Sequence, residues 1–129
     1  MPTQRHNGNG HRRRELVKRI KAEEHLCALC DTPVDKTLTY MPGAHGPNCP
    51  AHNTGQAYRD CPGCTPHPMR GEVDEDIPRS RGGSPYDRAN CHLMHRQCNQ
   101  TKSAQTLTEA RARYQAQRKA TTINASPIW

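Results

Sequence analysis

Glu72-Val73-Asp74-Glu75-Asp76-Ile77-Pro78-Arg79-Ser80-Arg81-Gly82-Gly83 is followed, a few residues later, by Cys91-His92-Leu93-Met94-His95-Arg96-Gln97-Cys98. From Arg70 to Ile77 the residues fit a short strand that stops at Pro78, because proline has no N–H to give to a ladder. Arg81-Gly82-Gly83-Ser84-Pro85 is a loop by composition, and Cys91-His92-Leu93-Met94 can return as the antiparallel partner. A short helix then starts near Cys98 and runs to about Ala104. The expected fold is small and α+β: strand, glycine loop, strand and short helix.

Working outward, His95-Arg96-Gln97-Cys98 repeats the ligand spacing of Cys27-Ala28-Leu29-Cys30. Two such pairs can close one tetrahedral zinc shell. Between them, Pro33, Pro42, Pro47, Pro50, Pro62, Pro66 and Pro68 exclude a long helix, so the insertion at about 41 to 69 consists of loops and turns that need another staple. Cys49-Pro50-Ala51-His52 and Cys61-Pro62-Gly63-Cys64 offer four more ligands in two close pairs, which suits a second structural zinc. The alternative leaves Cys61 and Cys64 as free thiols, with His45, His52 and His67 solvated. Cys91 is left over and is read as buried or inert.

Composition points the same way. A chain of 129 residues, 32% hydrophobic, with one Trp, four Tyr and no Phe, is one domain with little apolar core. Its seven cysteines and eight histidines can provide the missing staple as zinc thiolate sites. Disulfides are the competing staple, but Met1 to Arg14 is polar and basic with no apolar stretch after it, which argues for a reducing cytoplasm. No apolar run approaches the roughly 20 residues that span a bilayer, so no membrane partner is expected. A formal charge of +7 favours a polyanionic partner such as nucleic acid, although a merely solvated basic surface has the same composition.

Residues 1 to 11 show no periodicity and read as a disordered basic arm. A first helix is expected from Arg12 to Glu24, with Leu16, Val17 and Ile20 as its apolar stripe. A last helix begins after Thr106, where Thr106 and Glu109 have capping-box spacing, and extends to about residue 120. Residues 121–129 form a tail, ordered only if Ile128 and Trp129 dock.

The blocks in this order resemble the HNH endonucleases, in particular the small zinc-containing HNH proteins of bacteriophages, over roughly Arg12 to Gln105. The resemblance rests on Cys27 and Cys30, the run Val73 to Gly83, Asp87-Arg88-Ala89-Asn90, and His95-Arg96-Gln97-Cys98-Asn99 with Lys102. It implies a ββα-metal nuclease domain over 12–105 in which Cys27, Cys30, His95 and Cys98 hold a structural zinc. Asp74 and Asn99 would hold a catalytic Mg²⁺ or Mn²⁺, and Asn90 would hold the loop that bears the general base. Where most members of that family have the base histidine, this chain has Glu75. Glu75 either acts as base, its pKa raised by Asp74 and Asp76, or joins the metal. His92, on the returning strand, is a further source of imidazole. Arg79, Arg81, Arg88, Arg96 and Lys102 would contact DNA phosphates. The implied function is a metal-dependent DNA endonuclease, and similar phage proteins work beside the terminase in genome packaging. The alternative is a zinc-stabilised DNA-binding module that has lost turnover with its histidine.

Overall fold

The structure is a computed structural model that describes residues 3–46, Cys49, Cys61 and 63–124. Among these residues there are three α-helices and one two-stranded antiparallel sheet, a small α+β arrangement. Strand β1 is Gly71–Glu75 and strand β2 is Cys91–His95. Val73 pairs with Leu93, Asp74 with His92 and Glu75 with Cys91. Side chains alternate along each strand, so Val73 and Glu75 share one face with Leu93 and Cys91, while Glu72 and Asp74 share the other with His92 and Met94.

Helix α2, Arg96–Lys102, follows β2 directly and packs across both strands. The loop from Ile77 to Asn90 returns tightly because of Gly83: a Cβ there would overlap the Ile77 carbonyl, and its N–H donates to Pro78 O at 3.0 Å.

Helix α1, Thr3–Glu23, covers the Val73–Leu93 face with Ile20, which is fully buried, and Leu16. Arg13 ties it to the hairpin by donating to Pro85 O at 2.8 Å and Val73 O at 3.1 Å. The stretch expected to be a disordered arm is thus helical from Thr3 onward. It has no apolar stripe to announce it, but once the packed turns around Leu16 and Ile20 exist, each added residue gains a backbone bond without a new nucleation cost.

The core is small: Ile20, Leu29, Val34, Leu93, Met94 and Ala110, with Cys27 and Cys91 filling it. Ala110 comes from helix α3, Leu107–Asn124. Its start is fixed by a reciprocal cap, Thr106 N–H to Glu109 Oε1 at 2.8 Å and Glu109 N–H to Thr106 Oγ1 at 3.2 Å. Arg111 then reaches back to Asp31 Oδ2 at 3.0 Å, joining α3 to the Cys27–Cys30 turn. The helix runs beyond residue 120 to Asn124, while Ile128 and Trp129 lie outside the described residues. The proline-rich insertion is closed at its base, where Tyr40 bridges Pro66 and Met41 N–H donates to Thr65 O at 2.9 Å. No helix of the described residues is long and apolar enough to cross a membrane.

Candidate metal centres and the acidic strand face

Cys27, Cys30, His95 and Cys98 converge so that one ligand atom from each lies within 4.8 Å of all the others. The first pair sits on a turn in which Asp31 N–H donates to Cys27 O and Cys27 N–H to Thr32 O, both at 2.9 Å. Asp31 closes that turn at φ 60°, a left-handed conformation that Asp tolerates better than most side chains. The second pair spans the junction of β2 and α2. Cys30 Sγ and Cys98 Sγ stand 3.4 and 3.9 Å from His95 Nδ1. A tetrahedral zinc with bonds of about 2.3 Å to sulfur and 2.0 Å to nitrogen separates such atoms by about 3.6 Å, so the spacing fits that ion.

The outer partners fit as well. His95 Nε2 is 3.1 Å from Pro33 O, an acceptor only, so Nε2 carries the proton and Nδ1 keeps its lone pair toward the thiols. The Cys27 thiol is lowered to about 4 by the Cys98 thiol donating to it, helped by N–H groups of Cys30, His95 and Leu29 and opposed by burial. Cys98 is pushed up in turn by the adjacent Cys27 thiolate and by burial. One anion is thus favoured before any metal binds, and a metal supplies the positive charge that lets the remaining thiols ionise.

A second cluster, inside the proline-rich insertion, is formed by His45, Cys49, Cys61 and Cys64. His45 Nδ1 lies 3.2 Å from Cys49 Sγ and 3.5 Å from Cys61 Sγ, and the two sulfurs are 3.8 Å apart, again the edges of a tetrahedral site. The expected set placed His52 with these three cysteines; His52 lies outside the described residues, and among the described residues His45 stands beside them. The turn at Gly63 brings it there. Its carbonyl accepts the His45 N–H at 2.7 Å, and the His45 ring lies where a Cβ on residue 63 would be. Burial raises the Cys64 thiol, with Cys61 and Cys49 adding to the rise.

On the face of the hairpin that meets α2, Asn99 Nδ2 donates to Glu72 Oε1 at 3.3 Å, and Lys102 Nζ lies 2.8 Å from Asp74 Oδ2. Asn99 and Lys102 are three apart on α2 and therefore share the side that meets β1. Asp74 and Asn99 thus border the same β1–α2 interface, each with a different partner. The Glu72 carboxyl, opposed by the cost of its partial burial, is held below the usual range by Arg70, Arg96 and Asn99. Asp76, just past the strand end, accepts His92 Nδ1–H at 2.6 Å.

No protein-family model matches this chain, and no curated protein or solved structure matches it.

The remaining expected site residues separate by strand parity and by ion pairing. Glu75 alternates to the opposite face from Asp74, where its carboxylate is 3.9 Å from Arg13 Nη2 and its side chain is 13% exposed. Asn90 clamps the loop after β1: its Oδ1 accepts the Ile77 N–H at 2.9 Å, and its Nδ2 donates to Ile77 O and Ser84 O, both at 3.1 Å. Of the basic residues expected to contact phosphate, Arg79 is exposed and has no ion-pair partner among the described residues. Arg81 pairs with Glu109, Arg88 with Glu24 at 2.8 Å and Glu23 at 3.1 Å, and Arg96 with Glu72 at 3.0 Å. Lys102 differs from expectation altogether. It is 1% exposed, so its ammonium is held by Asp74 inside the fold and is not presented at a surface. His92 is the further imidazole expected on the returning strand, and period-two alternation places it on the Asp74 side; its pairing with Asp76 is the feature the sequence did not announce.

Proposed function

We propose that this chain is a metal-dependent DNA endonuclease of the HNH kind, built on two structural zinc sites. The observation that carries the reading is the convergence of Asp74 from β1 and Asn99 from α2 on one interface, with Asn90 clamping the loop between the strands. The first Cys₃His cluster lies at the base of the same hairpin and helix, so zinc there would fix the strand–helix angle that sets this interface.

The Asp74 carboxylate and the Asn99 amide are hard oxygen donors, the chemistry that suits Mg²⁺ or Mn²⁺. Such an ion, when bound, polarises the scissile phosphate and stabilises the departing 3′ oxygen. The chain's own residues do the rest. Asn90 holds the loop that carries Arg79 toward a phosphate, while Glu72 and Arg96 orient Asn99 from behind. Binding of a cation at Asp74 requires Lys102 Nζ to move off the carboxylate.

That last contact favours a second reading, a zinc-held DNA-binding module without turnover in which Lys102 permanently neutralises Asp74. Incubation of the zinc-loaded protein with supercoiled plasmid and Mg²⁺ or Mn²⁺ separates the two. The endonuclease converts plasmid to open circles, and Asp74→Asn or Asn99→Ala slows this by on the order of 10²- to 10³-fold, the equivalent of several kcal/mol of charge stabilisation. Equal DNA binding by all three proteins without any nicking would establish the module instead.

A further inference from the structure

We infer that His92, oriented by Asp76, is the general base of this site; the inference rests on the nuclease reading above. Glu75, the residue at the position where the resembled family carries its base, faces away from Asp74 and toward Arg13. His92 is instead directly opposite Asp74 in the ladder, on the same face of the hairpin. Cβ atoms of such cross-strand neighbours are about 5 Å apart, close enough for both side chains to serve one bound phosphate.

The hydrogen bonds set the tautomer. Asp76 Oδ1 is 2.6 Å from His92 Nδ1, and an ionised carboxylate only accepts, so Nδ1 carries the proton. Nε2 then holds the lone pair. Glu24 Oε2, itself paired with Arg88, is 4.0 Å away, beyond hydrogen-bonding distance, so Nε2 is not engaged there. The ring is about a third exposed and open to water.

Asp76 itself is fixed. Its N–H donates to Asn90 O at 2.6 Å and its carbonyl accepts the Leu107 N–H at 2.8 Å, so the strand end, the Asn90 loop and the start of α3 hold one carboxylate in place. Asp76 is therefore a positioning residue, and this gives Asn90 a second role, since the backbone that closes the loop also aims the dyad.

In the step this permits, a water molecule transfers a proton to His92 Nε2 as its oxygen bonds to phosphorus. The bond from phosphorus to the 3′ oxygen breaks with its electron pair on that oxygen, which takes a proton from solvent. His92 then returns its own proton to solvent. The products carry a 5′ phosphate and a 3′ hydroxyl.

The test is plasmid nicking by wild type, His92→Ala, Glu75→Gln and Asp74→Asn, with zinc content and DNA affinity measured alongside. His92→Ala should retain its zinc and bind DNA, nick about 10²- to 10⁴-fold more slowly, and recover several-fold when imidazole is added to the buffer. Asp74→Asn should not respond to imidazole. Absence of nicking by the wild type removes the nuclease reading and this inference with it. Nicking by the wild type with His92→Ala within threefold of it, or slowed without imidazole rescue, overturns the inference alone; loss of nicking in Glu75→Gln with His92→Ala retained would give the base to Glu75.

Discussion

Cys27→Ser is expected to abolish cooperative folding of the whole chain, and chelation of zinc to do the same. Cys27 is fully buried and sits both in the metal cluster and in the apolar core, against residues from α1, β2 and α3. The sulfur also accepts the His95 N–H at 3.5 Å, so one atom joins the first turn to the start of α2. Structural zinc binding contributes about 10–16 kcal/mol in small zinc domains, while the net stability of a domain is only about 5–15 kcal/mol. Loss of this site therefore exceeds what the few buried aliphatic side chains can offset. Amide proton dispersion by NMR, recorded before and after chelation, measures it directly. Dispersion that survives with no metal bound would show that the core alone suffices. The second cluster lies in an insertion closed at its own base, so Cys61→Ser with Cys64→Ser should remove one zinc and leave the hairpin intact.

Lys102→Met should cost about 3–5 kcal/mol of stability in zinc-loaded protein without added Mg²⁺. The ammonium is 1% exposed and neutralises Asp74, itself 18% exposed, and neither of the two paired atoms has a hydrogen-bond partner among the described residues. Removing the lysine leaves a largely buried carboxylate uncompensated, which costs more than the intact pair contributes. Pairing Lys102→Met with Asp74→Asn should recover most of the loss, because the charge to be compensated is then gone. Denaturant midpoints of the four proteins in this cycle give the coupling. A single variant as stable as wild type would place Lys102 on the surface, where the sequence suggested it belonged.

Much of the fold was legible because punctuation and pairing are local. Pro78 and the Gly82-Gly83 turn mark the connection between β1 and β2, and the strand pair falls within a residue or two of its expected span. Thr106 and Glu109 form the cap their spacing suggested. The first metal cluster followed from two matching ligand pairs. What failed to show was tertiary. His45 was not among the expected ligands, and what brings it to the cysteines is the shape of the Gly63 turn, which spacing does not announce. The N-terminal part of α1 has no apolar stripe, so nothing in its periodicity marks it as helix. Lys102 reads as a surface cation until α2 is docked on β1 and Asp74 is found beneath it. The opposite orientations of Asp74 and Glu75 were accessible in principle, since adjacent residues of a strand point to opposite faces.

Hydrolysis at this site requires Asp74 and Asn99 to share a divalent cation when DNA is bound. Titration of zinc-loaded protein with Mn²⁺ in the presence of a DNA duplex, followed by electron paramagnetic resonance, measures this directly. One Mn²⁺ per chain that is lost in Asp74→Asn is the predicted result. Absence of saturable Mn²⁺ binding, or binding unchanged in Asp74→Asn, would contradict it.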